Sequence, residues 1–361
     1  MNLPSPLLRP TDQGPAGPTL EVVGLRKVFS ARGRPPVVAV NDVSFSIRRG
    51  EVLGLVGESG SGKSTIARLI ARLHQPTSGE IRLNGGAVPL RLGGSALRAF
   101  RHHVQMIFQD PYASLNPLHP VGYTLTRPLK IHRLARGDTQ AQVHALLERV
   151  GLTPAALYAA KRPFELSGGQ RQRVGIARAL AAGPDLILAD EPTSALDVSI
   201  RLDVMNLLLD LTQQEGLSML FITHDLAGAR YMSDRVAVLY AGSLIEIGPA
   251  EGVIDHPQHP YTQLLKSAAP KPDAGLVPEA VEARGEVPDL SKLPPGCPFE
   301  PRCPHAMPAC KDGLPRMYDV GPDHQSRCIL HDPALSAQQA PFRPAHQEIH
   351  TVPLHTVPKE R

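Results

Sequence analysis

The run Gly57-Glu58-Ser59-Gly60-Ser61-Gly62-Lys63-Ser64-Thr65 fits the pattern G-x-x-x-x-G-K-S/T and holds the residue types that bind a polyphosphate. Gly57, Gly60 and Gly62 let the backbone fold tightly enough for successive N–H groups to face phosphate oxygens. A helix opening at Lys63 adds its positive N-terminal end. Lys63 can reach the β- and γ-phosphates and the Ser64 hydroxyl can sit on Mg²⁺, with Ser59 and Thr65 completing the nucleotide-binding run. A second group of the right type is Asp190-Glu191, which closes the apolar run Leu186-Ile187-Leu188-Ala189. Acids often end a buried strand because the chain meets solvent there. Beside a phosphate loop, Asp190 is the expected partner of Mg²⁺, and Glu191, one residue on, is free to orient an attacking water.

A third group is Leu166-Ser167-Gly168-Gly169-Gln170, followed by Arg171–Leu180. Ser167 is an N-cap residue, two glycines follow, and the first N–H groups of the helix can bind an anion. The chain thus has two phosphate-seeking helix starts, at Lys63 and at Gly169. One nucleotide cannot easily use both within one subunit, but a head-to-tail pair could share it.

The elements that must carry these groups are legible from apolar patterning. Val52–Val56, Val104–Phe108, Leu186–Ala189 and Met219–Ile222 read as buried strands of a parallel sheet, and Lys63–Leu73, Ala141–Val150, Gly169–Ala182 and Val198–Gln214 as helices around them. Leu20–Phe29, Val37–Ile47, Glu80–Leu83, Arg235–Tyr240 and Leu244–Ile247 read as strands of a separate, peripheral antiparallel sheet. Of the 37 prolines, only ten fall in residues 37–248, so long helices and central strands belong there. In 361 residues the formal net charge is +4, a dispersed excess that does not point to nucleic acid. No apolar run approaches the ~18–20 residues of a membrane span, and Met1–Pro6 lacks a signal pattern, which argues against an integral membrane or secreted protein.

Taken together, the phosphate loop, the LSGGQ segment at Ser167 and the strand ending in Asp190-Glu191 resemble the ATP-binding-cassette (ABC) ATPases over about residues 19–256. The resemblance implies ATP and Mg²⁺ as ligands and a P-loop cassette: a parallel α/β core sheet, an antiparallel β subdomain and an inserted helical subdomain at about 110–168. It implies that Gln109 is a Q-loop glutamine contacting Mg²⁺ and water, that Asp197 ends a D-loop crossing a dimer interface, and that His224 is the switch histidine on the γ-phosphate. Phe29 stands where the family places an aromatic ring on adenine, with a core side chain on an edge strand as the other reading. Ser167, Gly168, Gly169 and Gln170 would cap a partner's γ-phosphate.

Two segments narrow the family. Asp110–Pro117 and His256–Leu265, the latter with an HPY element whose histidines read as structural, resemble oligopeptide/dipeptide importer ATPases. The four cysteines, Cys297, Cys303, Cys310 and Cys328, form C-x5-C-x6-C-x17-C in a proline-rich segment with few apolar residues. Convergent thiolates there suit a soft metal, an iron–sulfur cluster or Zn²⁺, and unligated thiols remain open. The resemblance implies a 4Fe–4S cluster.

The organisation expected is a flexible tail at 1–18, the ATPase domain at 19–256, a small Cys-rich C-terminal extension at 257–332 and a flexible tail at 333–361. The resemblance implies an ATP-hydrolysing subunit on the cytoplasmic face of the inner membrane, powering peptide uptake. Its partners would be two permease subunits, a second homologous ATPase or itself, and indirectly a solute-binding protein. A soluble ATPase of a non-transport enzyme complex, such as phosphonate degradation, a metal-sensing module, or an importer of nickel, sugars, opines or glutathione are the alternatives.

Overall fold

The structure is a computed structural model and describes residues 17–30, 32–33, 35–110, 114–268 and 288–336. Residues 1–16, 337–361 and Pro111-Tyr112-Ala113, which carry parts of the expected tails and of the Asp110–Pro117 segment, lie outside it.

Strands β1 (Leu20–Phe29) and β2 (Val37–Ile47) form an antiparallel pair whose inward residues, Leu20, Val22, Leu25, Val40, Val43 and Ile47, are buried. Next comes β3 (Val52–Val56), buried along its whole length, and the glycine loop into α1 (Lys63–Ile70). This helix stops short of the expected Leu73 because Arg72 adopts φ 55° and Leu73 N–H turns back to the Arg68 carbonyl. β4 (Ser78–Leu83) pairs with β1 and β5 (Gly86–Ala87) with β4, giving a sheet of order β2-β1-β4-β5.

Then follow α2 (Gly94–His103), β6 (Val104–Ile107), α3 (Val121–Ile131), α4 (Thr139–Arg149), α5 (Ala155–Ala160), α6 (Gly168–Leu180), β7 (Leu186–Asp190), α7 (Val198–Glu215), β8 (Ser218–Thr223) and α8 (Leu226–Met232). Helix α2 has no strong apolar stripe, since Phe100 is its one buried residue, and pattern alone does not reveal it. The chain continues through β9 (Arg235–Tyr240), β10 (Ser243–Pro249), α9 (Ala250–Asp255) and α10 (Pro260–Ala268), and after residue 288 through β11 (Tyr318–Gly321), β12 (His324–Ser326) and a short α11 (Pro333–Ser336), where a tail was expected.

The second sheet has the order β11-β12-β10-β9-β3-β8-β7-β6, parallel from β6 to β9 and antiparallel beyond. This corrects the expectation that Arg235–Tyr240 and Leu244–Ile247 sit in a peripheral antiparallel sheet. They do form a hairpin, through Ala241 and Gly242, both at positive φ. However, Val236–Tyr240 are buried on both faces, as a central strand requires, and β9 runs parallel to β3. The C-terminal hairpin β11–β12 extends this same sheet through β10.

Three apolar clusters hold the layers together. One packs α3, α4 and α6 with β7 and β8. Another fills the space between the two sheets around Leu53, Leu55, Ile66 and Leu69. The third joins Val56, Val238 and Tyr240 of the sheet to Tyr261 and Phe299 of the C-terminal region. The last three side chains are at most 1% exposed, and burial of an aromatic of this size contributes ~1.5–3 kcal/mol, so the extension shares the core rather than hanging from it.

Candidate functional site

The phosphate loop leaves β3 at its C-terminal end and enters α1. Two of its glycines are obligatory for space as well as conformation. Gly62 has φ 105°, and a Cβ there would run into the Ala39 carbonyl; one on Gly57 would run into the Leu239 carbonyl. Gly62 is also the N-cap of α1 and brings no side chain to its first N–H groups, which suits anion binding. Lys63 Nζ donates to the carbonyls of Gly57 (2.7 Å) and Glu58 (2.8 Å). Burial pushes its pKa down, opposed by Glu191, Asp190 and Glu58.

Ser64 Oγ donates to Asp190 Oδ1 at 2.8 Å, so the two expected Mg²⁺ contacts are neighbours. Burial pushes the Asp190 carboxyl up, while Ser64, Arg68 and Lys63 pull it back. A buried cation and a buried acid, each costly to charge alone, favour a polyphosphate with a divalent ion. Their donor set, a hydroxyl and a carboxylate at the end of a strand, fits Mg²⁺.

Glu191 leaves β7 with φ 47°, an unusual conformation for a non-glycine residue, and its N–H donates to the Ile222 carbonyl (3.0 Å). That turn sets its carboxylate between Gln109, whose Nε2 donates to Oε2 at 3.0 Å, and His224, whose Nδ1 lies 3.3 Å from Oε1. The structure therefore brings together Gln109, Glu191 and His224 from the ends of β6, β7 and β8, next to Lys63, Ser64 and Asp190. Ser59, Gly60 and Thr65 belong to the same loop and first turn.

Other expected residues lie elsewhere. Ser167 caps α6 with a reciprocal box: its Oγ accepts from Gln170 N–H (3.2 Å) and its own N–H donates to Gln170 Oε1 (3.0 Å). Gly168 and Gly169 lie against Leu196 and Ile200, and a Cβ on Gly169 would press on the Ile200 Cγ2 at 2.6 Å. Asp197 is the N-cap residue of α7. Phe29 is 38% exposed at the end of β1, with Lys27 Nζ 4.8 Å from its centroid and His74 edge-on at 5.7 Å. An exposed ring there is open to stacking and is not a core side chain.

Cys297, Cys303, Cys310 and Cys328 are free thiols that line one narrow cavity with His259, Phe299 and Pro315. The cavity measures about 20 Å³, room for roughly one water, and among the described residues no three His, Cys, Asp or Glu side chains are set at metal-holding distance. Burial pushes Cys303 up to about 11 and Cys328 up to about 12, so both thiols are protonated at neutral pH. His259, 1% exposed, accepts the Tyr261 N–H on Nδ1 (3.0 Å), which puts its proton on Nε2, a buried donor with no hydrogen-bond partner. Four thiols and an orphaned N–H suit an anionic sulfur–metal group in chemistry. In space, the cavity holds about one water and the thiols are not set to ligate, so an ion or a cluster alike needs them to rearrange.

Two family models match: "ABC transporter" over residues 40–194 and "Oligopeptide/dipeptide transporter, C-terminal region" over 245–310. The first spans the phosphate loop, Gln109, Ser167–Gln170 and Asp190-Glu191. The second includes Cys297, Cys303 and Cys310. A putative peptide import ATP-binding protein of Brucella ovis is 47% identical over 86% of this chain and 98% of its own length. The chain belongs to the ATP-binding proteins of oligopeptide/dipeptide ABC transporters. Within that family, the oligopeptide transport ATP-binding protein AppF of Bacillus subtilis is 44% identical over 86% of this chain and 97% of its own. The cassette fold also matches the dimeric, post-hydrolysis structure of the ATP-binding cassette MJ0796 bound to ADP and Pi, with TM-score 0.58 and 30% identity over 64% of this chain and 98% of that one.

Sequence reasoning missed several residues that hold the phosphate loop and the C-terminal region in place. Glu58 stands at a variable position of the loop motif, and Arg302 reads as one more surface arginine. Glu246 is fully buried, with its carboxylate accepting from Gln258 N–H (2.8 Å), His259 N–H (3.0 Å) and His324 Nε2 (2.8 Å). No local pattern announces it; only the reading of the HPY histidines as structural pointed that way.

Proposed function

We propose that this chain is an ATP-hydrolysing subunit of an ABC importer, acting with a second, homologous cassette on two membrane permeases to take up di- or oligopeptides delivered by a solute-binding protein. The observation that carries the reading is the Glu191 carboxylate held between Gln109 and His224 beside Lys63, Ser64 and Asp190. The backbone N–H groups of the loop and Lys63 bind the β- and γ-phosphates. Ser64 and Asp190, with Gln109, would hold Mg²⁺, which would offset the negative charge of those phosphates. Glu191 orients the water for in-line attack, and His224 holds it and donates toward the γ-phosphate. Phe29 offers its face to adenine, with Lys27 beside it.

Ser167, Gly168, Gly169 and Gln170, with Asp197, belong to the opposite cassette's nucleotide. The Ser167 hydroxyl and the first N–H groups of α6 bind that γ-phosphate, so ATP favours the closed pair because it touches both subunits only when they meet. Loss of the γ-phosphate removes that bridge. The dimeric form of MJ0796 supports this reading, as do the relatives named for peptide import. Among the described residues no helix is long and apolar enough to cross a membrane.

The four cysteines form a metal-binding site, with a 4Fe–4S cluster as the first reading and Zn²⁺ as the second; the donor set and the orphaned His259 Nε2–H support a sulfur-ligated metal. The deciding experiment is affinity capture of the full chain from detergent-solubilised membranes of its host. Two multispanning permeases and a second cassette are expected. Recovery with soluble enzymes alone would overturn the transport reading.

A further inference from the structure

Glu58, the second residue of the phosphate loop, is held by residues from beyond residue 256. Its N–H donates to Tyr261 Oη at 3.0 Å. Its carboxylate is gripped by Arg302: Nη1 lies 3.1 Å from Oε2 and 3.3 Å from Oε1, and Nη2 lies 3.2 Å from Oε1. Its carbonyl accepts from Lys63 Nζ at 2.8 Å. The peptide that carries this loop residue is therefore fixed at three points, two of them supplied by the C-terminal region.

The grip is built rather than incidental. The Arg302 side chain is 7% exposed and that of Glu58 26%. The guanidinium stands over the rings of Tyr240 (5.8 Å) and Phe299 (5.9 Å) and donates to Tyr240 Oη at 3.3 Å. Tyr240, Tyr261 and Phe299 pack together with centroids 4.4 to 5.5 Å apart. An exposed ion pair contributes little, whereas a forked guanidinium on a carboxylate, walled by aromatic rings, fixes direction as well as distance. Arg302 immediately precedes Cys303, and Phe299 follows Cys297 by two positions, so the same short segment lines the cysteine cavity and holds the loop.

We infer that Arg302 is a positioning residue of the phosphate loop, and that through Glu58 the C-terminal extension sets how tightly this subunit binds MgATP. The inference rests on the nucleotide reading of that loop. A loop already held in place loses little freedom when phosphate arrives. Without the grip, the nucleotide must order Glu58 and the carbonyl on which Lys63 rests. The cost falls on binding, because Gln109, Glu191 and His224 are supplied by other strands.

The test compares the full chain with Arg302→Gln, Arg302→Lys, Glu58→Gln and the Arg302→Gln/Glu58→Gln double variant, measuring equilibrium binding of MgATP and the KM and kcat of its hydrolysis. Loss of one charge-assisted contact is expected to raise Kd and KM about three- to tenfold in Arg302→Gln and Glu58→Gln, with kcat within about twofold. The double variant is expected to match the single ones, since both act on one contact. Arg302→Lys, which keeps charge and stem but loses the fork, falls between, and it serves if Arg302→Gln does not fold. Unchanged affinity in the Arg302 variants, or an Arg302→Gln effect undiminished in the Glu58→Gln background, overturns the inference. Lys63→Ala separates the two levels. If wild type binds MgATP, Lys63→Ala loses it and the Arg302 variants do not, this inference alone falls; if Lys63→Ala binds as wild type does, the nucleotide reading falls with it.

Discussion

Gln109 Nε2 donates to Glu191 Oε2 across 3.0 Å and thereby ties the C-terminal ends of two neighbouring parallel strands, β6 and β7, at the point where one enters the helical layer and the other carries the acids. The glutamine is thus in contact with the group assigned to orient water. Glu191→Gln keeps the shape and the contact but removes the negative charge. The variant is expected to bind MgATP with near-normal affinity while turnover falls by ~10²-fold or more, the usual loss for a missing acid–base group, and to accumulate as a closed dimer. Hydrolysis rates and size-exclusion profiles with ATP check this; near-normal turnover would remove Glu191 from its role.

Lys63 is expected to fail in the opposite way. Its Nζ rests on two carbonyls of the loop, and burial already makes its charge costly unless an anion arrives. Lys63→Ala should therefore weaken MgATP binding by about ten- to a hundredfold, the equivalent of one lost hydrogen bond between charged groups. Equilibrium binding of MgATP is the measurement, and unchanged affinity would contradict the cradle.

The residues of the candidate site were legible as motifs because the pattern that marks them is local. Gly57 to Thr65 and Ser167 to Gln170 each set a few consecutive backbone groups at a helix start, so spacing along the chain carries the information. Asp190 and Glu191 follow an apolar run that reads as a buried strand and forms β7. What the sequence hid depends on contacts across long separations. Arg302 meets Glu58 from 244 positions away, and Glu246 is satisfied by a backbone turn and a histidine from different parts of the C-terminal region. The misplacement of β9 has a similar origin. Its short turn into β10 advertises an antiparallel hairpin, whereas its parallel pairing with β3 is set by chain segments nearly two hundred residues apart.

The cysteine cavity gives a prediction that separates a cluster, zinc and unligated thiols. Anaerobically purified protein is expected to be brown, with absorption near ~410 nm and iron and sulfide in equal amounts. Cys303→Ser or Cys328→Ser should bleach it, because each of those thiols lines the cavity. Colourless protein with stoichiometric zinc, by metal analysis, would replace the cluster with the second reading. Protein free of both metals would leave four thiols around an empty space.

His259 makes the C-terminal region sensitive to acid in a defined direction. Burial, with a smaller contribution from His331, pushes its pKa from 6.5 down to about 3. In the unfolded chain the imidazole takes up a proton near pH 6.5, and in the folded chain it stays neutral to about pH 3. Between those values the unfolded state binds more protons, so stability present above pH 6.5 is lost as the pH falls, by up to ~1.4 kcal/mol per pH unit. His259→Asn removes the titrating ring and keeps an acceptor for the Tyr261 N–H. Carboxylates common to both proteins cancel in the comparison. Urea midpoints measured between pH 7.5 and about pH 5 should therefore converge as the pH drops, with wild type losing its advantage, and a difference that stays constant with pH would show that His259 does not carry the effect.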